Sequence, residues 1–277
     1  MKSRPNTMCI LGDVTTDVYI DAQTVKFGGA ALNMAMWVKR LGDVPIIVSA
    51  VGDDQRGQDT QRFLQSQNLS VSGVQLKHGA TSAIDIYITN GERRYGVWNP
   101  GVLTDFHIGQ NEKSLLRMSQ AIIATVYPQY KHVFDELSDW RSKVKGDNQI
   151  PVVINFGDLK EFGGNLEIVK QYINVADIIV FGLHKVTDAH IIESIRKLTT
   201  VNQICIVTLG QDGSVAWKGK QKFEAEAYKT KVVDTTGAGD AFLAGFMTAY
   251  LRTMDIQSSL SKGAEVAAQA IAQIGAY

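Results

Sequence analysis

The stretch Val232-Val-Asp-Thr-Thr-Gly-Ala-Gly-Asp-Ala-Phe-Leu-Ala-Gly-Phe246 decides how the rest of this chain is interpreted. Its opening valines favour a strand, and Gly237 and Gly239 lack the Cβ that would keep a ligand away from the backbone. From Ala241 onward, apolar and small residues recur at helical spacing: Phe242, Gly245, Phe246 and Ala249. The stretch therefore predicts a strand end, a glycine turn and the start of a buried helix.

The turn within this stretch has the composition of an anion site that also carries a carboxylate. Free N–H groups at a helix start bind anions, and the helix dipole adds to the attraction. Asp240 lies in the same turn, where its charge would repel a bound phosphate. Its presence is explained if it accepts the proton of a hydroxyl that attacks a phosphoryl group. Helix capping is the alternative role for such an aspartate.

Two stretches of the sequence resemble signatures of one family, the ribokinase-like (PfkB-type) carbohydrate kinases. The run from Asp234 to Phe242 resembles the C-terminal signature, and Gly28-Gly-Ala-Ala-Leu-Asn-Met-Ala with Leu41-Gly42 resembles the N-terminal one. They lie about 200 residues apart in the expected order. The resemblance implies an α/β fold, a three-layer α/β/α sandwich with a mostly parallel central sheet and a small β-sheet lid.

The resemblance also implies roles for individual residues. Asp240 is expected to be the catalytic base, with the backbone of Gly237, Ala238 and Gly239 as the anion hole. The residues expected to bind the sugar are Thr15, Asp17, Gly28, Gly29 and Asn33. Those expected to bind ATP are Thr208, Gly210, Thr236 and Lys185. Asp234 and Thr236 match the positions beside which relatives bind a monovalent cation, so K⁺ joins ATP and Mg²⁺ as a candidate cofactor.

Some of these residues have a structural alternative when the sequence is considered alone. Asp17 follows the first predicted strand, at the sheet edge that faces the ligand crevice in open α/β folds, but ordinary turn chemistry also accounts for it. Asn33 lies in the first turn of a predicted helix, where a solvated side chain is the alternative.

The sequence departs from the family pattern at two places. Most relatives carry an N-x-x-E motif tied to Mg²⁺ and phosphate, whereas this chain has Gly182-Leu-His-Lys185. Either the nucleotide and water hold the magnesium, or Lys185 and His184 neutralise part of the phosphate charge; no direct protein ligand for a metal is predicted. Where many relatives have a sugar-binding Glu or Gln, Thr125 and Tyr127 occur, so different sugar contacts are expected.

The predicted elements form a single domain over residues 1–277. Strands are expected at 8–11, 45–51, 71–76, 121–126, 151–156, 177–181 and 204–207, and helices at 30–41, 58–67 and 257–274. Alternation on both sides of Asn90-Gly91 predicts a hairpin. By resemblance, residues of about 18–27 and 74–98 form the lid, and pairing of lid strands between subunits would give a homodimer.

The amino-acid composition limits the classes of molecule that the protein is expected to bind. The chain has 277 residues, with Lys+Arg and Asp+Glu both at 28, so bulk charge favours neither nucleic acid nor a membrane surface. Cys9 and Cys205 lie in apolar strand-like runs and are expected to be buried thiols. Neither an apolar leader segment nor a long apolar span is apparent, which favours a cytoplasmic protein.

Further stretches narrow the resemblance to the fructoselysine 6-kinase branch of the family. They are His78–Ser82, Gly101–Phe106, Thr208–Trp217 and Ile274–Tyr277. The expected reaction is transfer of the ATP γ-phosphate to a primary hydroxyl of a sugar, O6 of fructoselysine or a related fructosamine. Alternatives are another sugar kinase of the family, such as a fructokinase or ribokinase-like enzyme, or a non-catalytic sugar or nucleotide sensor. A dehydrogenase is disfavoured because no G-x-G-x-x-G opens the first βαβ unit.

Overall fold

A large sheet forms the centre of the molecule. The computed structural model describes residues 4–21, 23–89, 92–125, 127–144, 150–159, 164 and 166–277. The large sheet contains β1 (Thr7–Leu11), β4 (Val44–Gly52), β5 (Val74–Lys77), β8 (Ala121–Thr125), β9 (Val152–Gly157), β10 (Ile178–Gly182), β11 (Ile204–Thr208), β12 (Ser214–Lys218) and β13 (Gln221–Ala225). Their order is β13-β12-β11-β10-β9-β8-β1-β4-β5. Only β12 and β13 at one edge run antiparallel to their neighbours.

The parallel part of the sheet is apolar because both of its faces are covered. Strands β1, β8, β10 and β11 are almost entirely buried, as their continuous Ile, Val and Ala runs predict. The two cysteines, Cys9 and Cys205, are free thiols within these strands and are fully buried, which confirms their predicted place in the core. The covered sheet is the middle layer of the predicted three-layer fold.

Helices form the two outer layers. They are α1 (Ala30–Arg40), α2 (Gln55–Ser66), α3 (Gln110–Met118), α4 (His132–Lys143), α5 (Glu167–Tyr172), α6 (Ala189–Leu198), α7 (Ala238–Thr253) and α8 (Ile256–Ile271). One apolar core contains side chains of α1, α7 and α8, and the other contains side chains of α3, α4, α5 and α6. The α/β/α architecture is therefore confirmed. Within the described ranges, no helix combines the length and apolar composition needed to cross a membrane.

A second, four-stranded sheet forms the lid. It contains β2 (Thr15–Tyr19), β3 (Thr24–Gly28), β6 (Ala83–Thr89) and β7 (Glu92–Asn99), in the order β3-β2-β6-β7. The strand-like run at 18–27 is two antiparallel strands, because the chain turns back between Tyr19 and Thr24. The hairpin of β6 and β7 is present, while its Asn90-Gly91 turn lies outside the described residues.

The boundary of the lid needs a correction. Residues 74–77 were assigned to the lid but form β5, which pairs in parallel with β4 at the edge of the large sheet. The side chain of Val74 is buried in the main core, and this burial holds the strand there. Within the described residues, the lid therefore consists of β2, β3, β6 and β7.

Candidate active site

A cavity of about 1010 Å³ lies between the lid and the carboxyl ends of the central strands. This is the edge of an open α/β sheet where ligands bind. It is lined by most of the residues that the sequence singled out: Thr15, Asp17, Gly28, Gly29, Asn33, Thr208, Thr236, Gly237, Ala238, Gly239 and Asp240. Strands β2 and β3 carry the first three, Gly29 directly precedes α1, α1 carries Asn33, and the last four surround the start of α7.

Asp240 is a half-buried residue in the first turn of α7. Its Oδ2 accepts a hydrogen bond of 3.0 Å from Nδ2 of Asn33. Burial raises the pKa of Asp240 to about 7, the bond from Asn33 opposes this shift, and the charge of Asp13 adds to it. A carboxylate with a pKa near neutrality is suited to accept a proton at physiological pH.

The turn before α7 has a backbone conformation that requires glycine. Gly237 is the residue before the first helical turn and has a φ of 72°. A Cβ at this position would also lie 2.6 Å from the Cβ of Ala276. The first turn that follows, from Ala238 to Asp240, has backbone N–H groups without acceptors inside the helix. The backbone N of Ala238 also donates to the carbonyl oxygen of Thr235, outside the helix, at 3.3 Å. The predicted anion hole, Gly237 to Gly239, lies at this turn, next to the carboxylate of Asp240.

The glycine pair at the start of α1 is fixed by Asp13, which follows β1. Oδ1 of Asp13 accepts a bond of 3.1 Å from the backbone N of Ala30, and its carbonyl oxygen accepts one from Ala31. Gly29 has a φ of 98°, and a Cβ there would lie 2.4 Å from the Asp13 carbonyl oxygen. Burial raises the pKa of Asp13 to about 6, against the effect of the bond from Ala30.

Thr15 begins a chain of hydrogen bonds within the lid. Its Oγ1 accepts a bond of 2.9 Å from Oγ of Ser82, and that oxygen accepts one of 3.0 Å from Nε1 of Trp98. Asp17 lies two residues further along β2, close to Gly28 on the neighbouring strand, where a Cβ would be 3.2 Å from its Oδ1. Both predicted sugar-binding side chains are thus part of the cavity wall.

Residues 274–277, which we name the strap, connect the anion-hole loop with the lid. The backbone N of Gly275 donates to Oδ2 of Asp234, and Nε1 of Trp37 donates to the carbonyl oxygen of Ala276 at 2.7 Å. The hydroxyl of Tyr277 donates to the carbonyl oxygen of Phe27 on β3, also at 2.7 Å. In the sequence, residues 274–277 were noted only because they resemble the fructoselysine 6-kinase branch. Their part in the cavity depends on contacts between distant segments, which no local pattern reveals.

Three of the predicted residues lie outside the lining of the cavity. Lys185 is exposed, with its Nζ 4.0 Å from Oδ1 of Asp212, and Gly210 is in the turn before Asp212. Asp234 lies behind the lining, where its Oδ1 accepts bonds from the backbone N and Oγ1 of Thr236.

The loop that replaces the N-x-x-E motif is held by its own contacts. The backbone N of His184 donates to Oδ2 of Asp188 at 2.8 Å. Across the described ranges, no group of three or more His, Cys, Asp or Glu side chains is arranged to hold a metal.

Comparison with known proteins gives a consistent result along the whole chain. The sequence pattern of the pfkB family carbohydrate kinases matches residues 9–277. The chain is 26% identical over 279 residues to the fructoselysine 6-kinase of Escherichia coli (strain K12), covering 98% of this chain and 99% of that protein. It is also 26% identical over 271 residues to the fructosamine kinase FrlD of Bacillus subtilis (strain 168), covering 96% and 91%.

The fold is also found in solved structures of other kinases. The nucleoside kinase of Methanocaldococcus jannaschii, an archaeal member of the ribokinase family, superposes with a TM-score of 0.78 at 20% identity. The match covers 99% of this chain and 94% of that one. At this identity the likeness establishes the fold.

Proposed function

Because the chain belongs to the pfkB family of carbohydrate kinases and is an ATP-dependent sugar kinase, we propose that its acceptor is a fructosamine, phosphorylated at O6. Fructoselysine is the reference acceptor for this proposal. It is supported by the two relatives described above, whose names give fructoselysine and a fructosamine as the molecules they phosphorylate. Because sequence identity to the fructoselysine 6-kinase is 26%, the acceptor is argued from the residues that line the cavity.

The observation that carries the proposal is the charge of the cavity. Among the described lining residues, four are aspartates, Asp13, Asp17, Asp158 and Asp240, whereas Lys26 is the one lysine or arginine. A fructosamine has a secondary ammonium beside its sugar ring, which such a wall attracts. A sugar that already carries a phosphate would be repelled by the same wall. Burial raises the pKa values of Asp13 and Asp240 to about 6 and about 7, so the full negative charge of the wall is present above about pH 7. Under these conditions the cavity favours a cationic acceptor over an anionic one.

The transfer step follows from the position of Asp240. A primary hydroxyl placed between this carboxylate and the start of α7 has a base on one side and an anion hole on the other. Oδ2 of Asp240 is held by Asn33, and we assign Oδ1 as the atom that takes the hydroxyl proton. The hydroxyl oxygen then forms the bond to the γ-phosphorus, and ADP leaves with the electrons of the broken P–O bond. Thr15, Asp17, Asn33 and the Gly28–Gly29 pair orient the sugar in this proposal.

The nucleotide is placed at the remaining part of the cavity. Thr208 and Thr236 line that part, and the N-terminus of α7 receives the transferring phosphate. Mg²⁺ supplies charge neutralisation when bound with ATP. Asn155 and Asp158 line the same cavity and offer oxygen donors of the kind that Mg²⁺ prefers, so an ion bound chiefly through phosphates and water fits this site. A monovalent cation beside Asp234 and Thr236 stays a proposal, which replacement of K⁺ by tetramethylammonium in the assay tests.

A homodimer through the lid also stays a proposal. Strands β3 and β7 are the two edges of the lid sheet, and each carries an exposed valine, Val25 and Val97. Exposed apolar residues on edge strands are suited to pairing with a second chain. The molar mass measured in solution by light scattering tests this arrangement.

A coupled ADP-release assay with Mg-ATP tests the acceptor. The panel contains fructoselysine, a second fructosamine, fructose, ribose, fructose 6-phosphate and a nucleoside. We expect the highest kcat/KM for a fructosamine and the lowest for fructose 6-phosphate, because of the four carboxylates. Preference for a free sugar would keep the kinase and refute the fructosamine. Binding of ATP without turnover of any acceptor would favour a sensor.

A further inference from the structure

Two aromatic rings from different parts of the molecule meet in the wall of the cavity. Trp98 is on lid strand β7, and Tyr127 follows β8 of the central sheet. Their ring centroids are 5.3 Å apart with an interplanar angle of 57°, and both residues line the cavity. This separation and tilt are those of a favourable aromatic pair. The pair joins lid and body beside the bound acceptor.

Each ring is held in place by a buried side chain. Nε1 of Trp98 donates to the fully buried hydroxyl of Ser82, which in turn donates to Oγ1 of Thr15. The ring of Tyr127 packs against Tyr130, with a centroid distance of 5.8 Å, and Tyr130 is itself buried. The aromatic pair is therefore fixed before any ligand binds, which lowers the entropy cost of recognition.

The aromatic pair lies next to a residue that is proposed to bind the sugar. A single intervening hydroxyl, that of Ser82, connects the indole to Thr15, which is proposed to bind the sugar. Thr15 is followed on β2 by Asp17, another cavity carboxylate. Asp17 and Trp98 both pair with Ile84, from its two neighbouring strands, so a substituent that extends from the sugar past Thr15 meets an aromatic ring and a carboxylate on the same face of the lid sheet. Aromatic faces and carboxylates both attract an alkylammonium group.

We infer that Trp98 and Tyr127 form the subsite for the amine-bearing substituent of the acceptor. The ring faces bind the secondary ammonium of a fructosamine and the first methylene groups of its chain. This inference rests on the proposed function and extends it, because it names the residues that distinguish a fructosamine from the free sugar. A neutral nucleobase would stack on the rings and could donate N–H hydrogen bonds to the carboxylates, but it lacks the charge that both the rings and the carboxylates attract, so the cation is favoured.

The matched variants Tyr127→Leu and Tyr127→Phe test the inference. The readout is the ratio of kcat/KM for N-butyl fructosamine to kcat/KM for fructose, because it cancels effects common to both acceptors. Tyr127→Leu removes the ring, and we expect it to lower this ratio about 3- to 30-fold, the range of a cation–π contact. Tyr127→Phe keeps the ring, and we expect it to retain the ratio within about twofold. KM for ATP and the thermal unfolding midpoint serve as checks on folding.

The outcomes separate this inference from the proposed function. If the wild-type protein does not prefer the fructosamine, the proposed function fails. If it does and Tyr127→Leu keeps the ratio, the subsite is overturned while the function stands. Turnover of a nucleoside that depends on Tyr127 would also overturn it. Should Tyr127→Leu not fold, Trp98→Leu and Trp98→Phe replace it, since both lose the bond to Ser82 and differ in the ring.

Discussion

Nδ2 of Asn33 donates a hydrogen bond of 3.0 Å to Oδ2 of Asp240, although 207 residues separate them in the sequence. The bond joins the first turn of α1 to the first turn of α7, and the two helices pack side by side. Each of the two sequence signatures supplies one partner. The proposed sugar-binding side chain is therefore also the group that holds the proposed base.

Replacing the proposed base should abolish turnover without removing the nucleotide site. Asp240→Asn keeps the size of the side chain and its place at the start of α7 but cannot accept a proton. We expect kcat to fall by about 10² to 10⁴, the usual contribution of general base catalysis. The dissociation constant for ATP, measured by calorimetry, should change less than about threefold. Near-normal turnover would refute the assignment of Asp240 as the base.

The activity should depend on the ionisation of the same carboxyl group. Burial raises the pKa of Asp240 to about 7, and only the ionised form accepts the hydroxyl proton. We therefore expect kcat to rise with pH through a midpoint of about 7 and to level off at higher pH. The bond from Asn33 lowers the pKa, so Asn33→Ala should move the rise to higher pH. A pH–rate profile of both proteins checks this shift; an unchanged midpoint would mean that Asn33 does not act on Asp240.

Stability should change with pH in the opposite direction. The pKa of Asp240 is raised from its ordinary value of 3.8, so the folded protein binds a proton that the unfolded chain releases. The stability associated with this proton is complete below about 4 and is lost as the pH rises to about 7. Asp13, with a pKa of about 6, contributes in the same sense.

The variant Asp240→Asn isolates this effect, because its amide carries no charge to bury. At pH 8 we expect it to be more stable than the wild-type protein by on the order of 1–3 kcal/mol, a few degrees in Tm. Near pH 4 the difference should vanish. Thermal unfolding at the two pH values measures it, and a variant less stable at pH 8 would contradict the expectation.

The sequence predicted the parts of the fold that have a local pattern. Continuous apolar runs marked the strands around Cys9 and Cys205, because a parallel sheet is covered on both faces. Helices α4 and α6 were not predicted. Four residues of α6 are charged or His, and a single one, Ile195, is fully buried, so its apolar face is narrow. Residues 74–77 were assigned to the lid sheet by mistake, because the sequence of a strand does not reveal which strand it pairs with.

The site was predictable where backbone chemistry restricts the residue type. Glycines at 29 and 237 are required by positive φ and close approach of other segments, so they recur in motifs. Asp13 was not among the predicted site residues, because its role depends on burial and on the backbone N of Ala30. Tyr277 gave no local signal either, since it contacts Phe27, 250 residues away in the sequence.

Removal of one hydroxyl from the strap should affect the acceptor more than ATP. Tyr277→Phe loses the bond of 2.7 Å to the carbonyl oxygen of Phe27 but keeps the ring near Phe63. Because this bond fixes lid strand β3 against the anion-hole side, its loss should let the lid open more readily. We expect KM for the acceptor to rise about 3- to 10-fold, with KM for ATP changed less than twofold, and stability to fall by about 1 kcal/mol.

The exposed Tyr228 offers a matched control for this variant. Tyr228→Phe removes the same atom from the loop before the anion hole, and neither constant should change. Steady-state kinetics of the three proteins with each substrate varied in turn gives the comparison. Equal increases in both KM values for Tyr277→Phe would show that the strap acts on the whole cavity rather than on the lid. An unchanged KM for the acceptor would show that other contacts hold β3 in place.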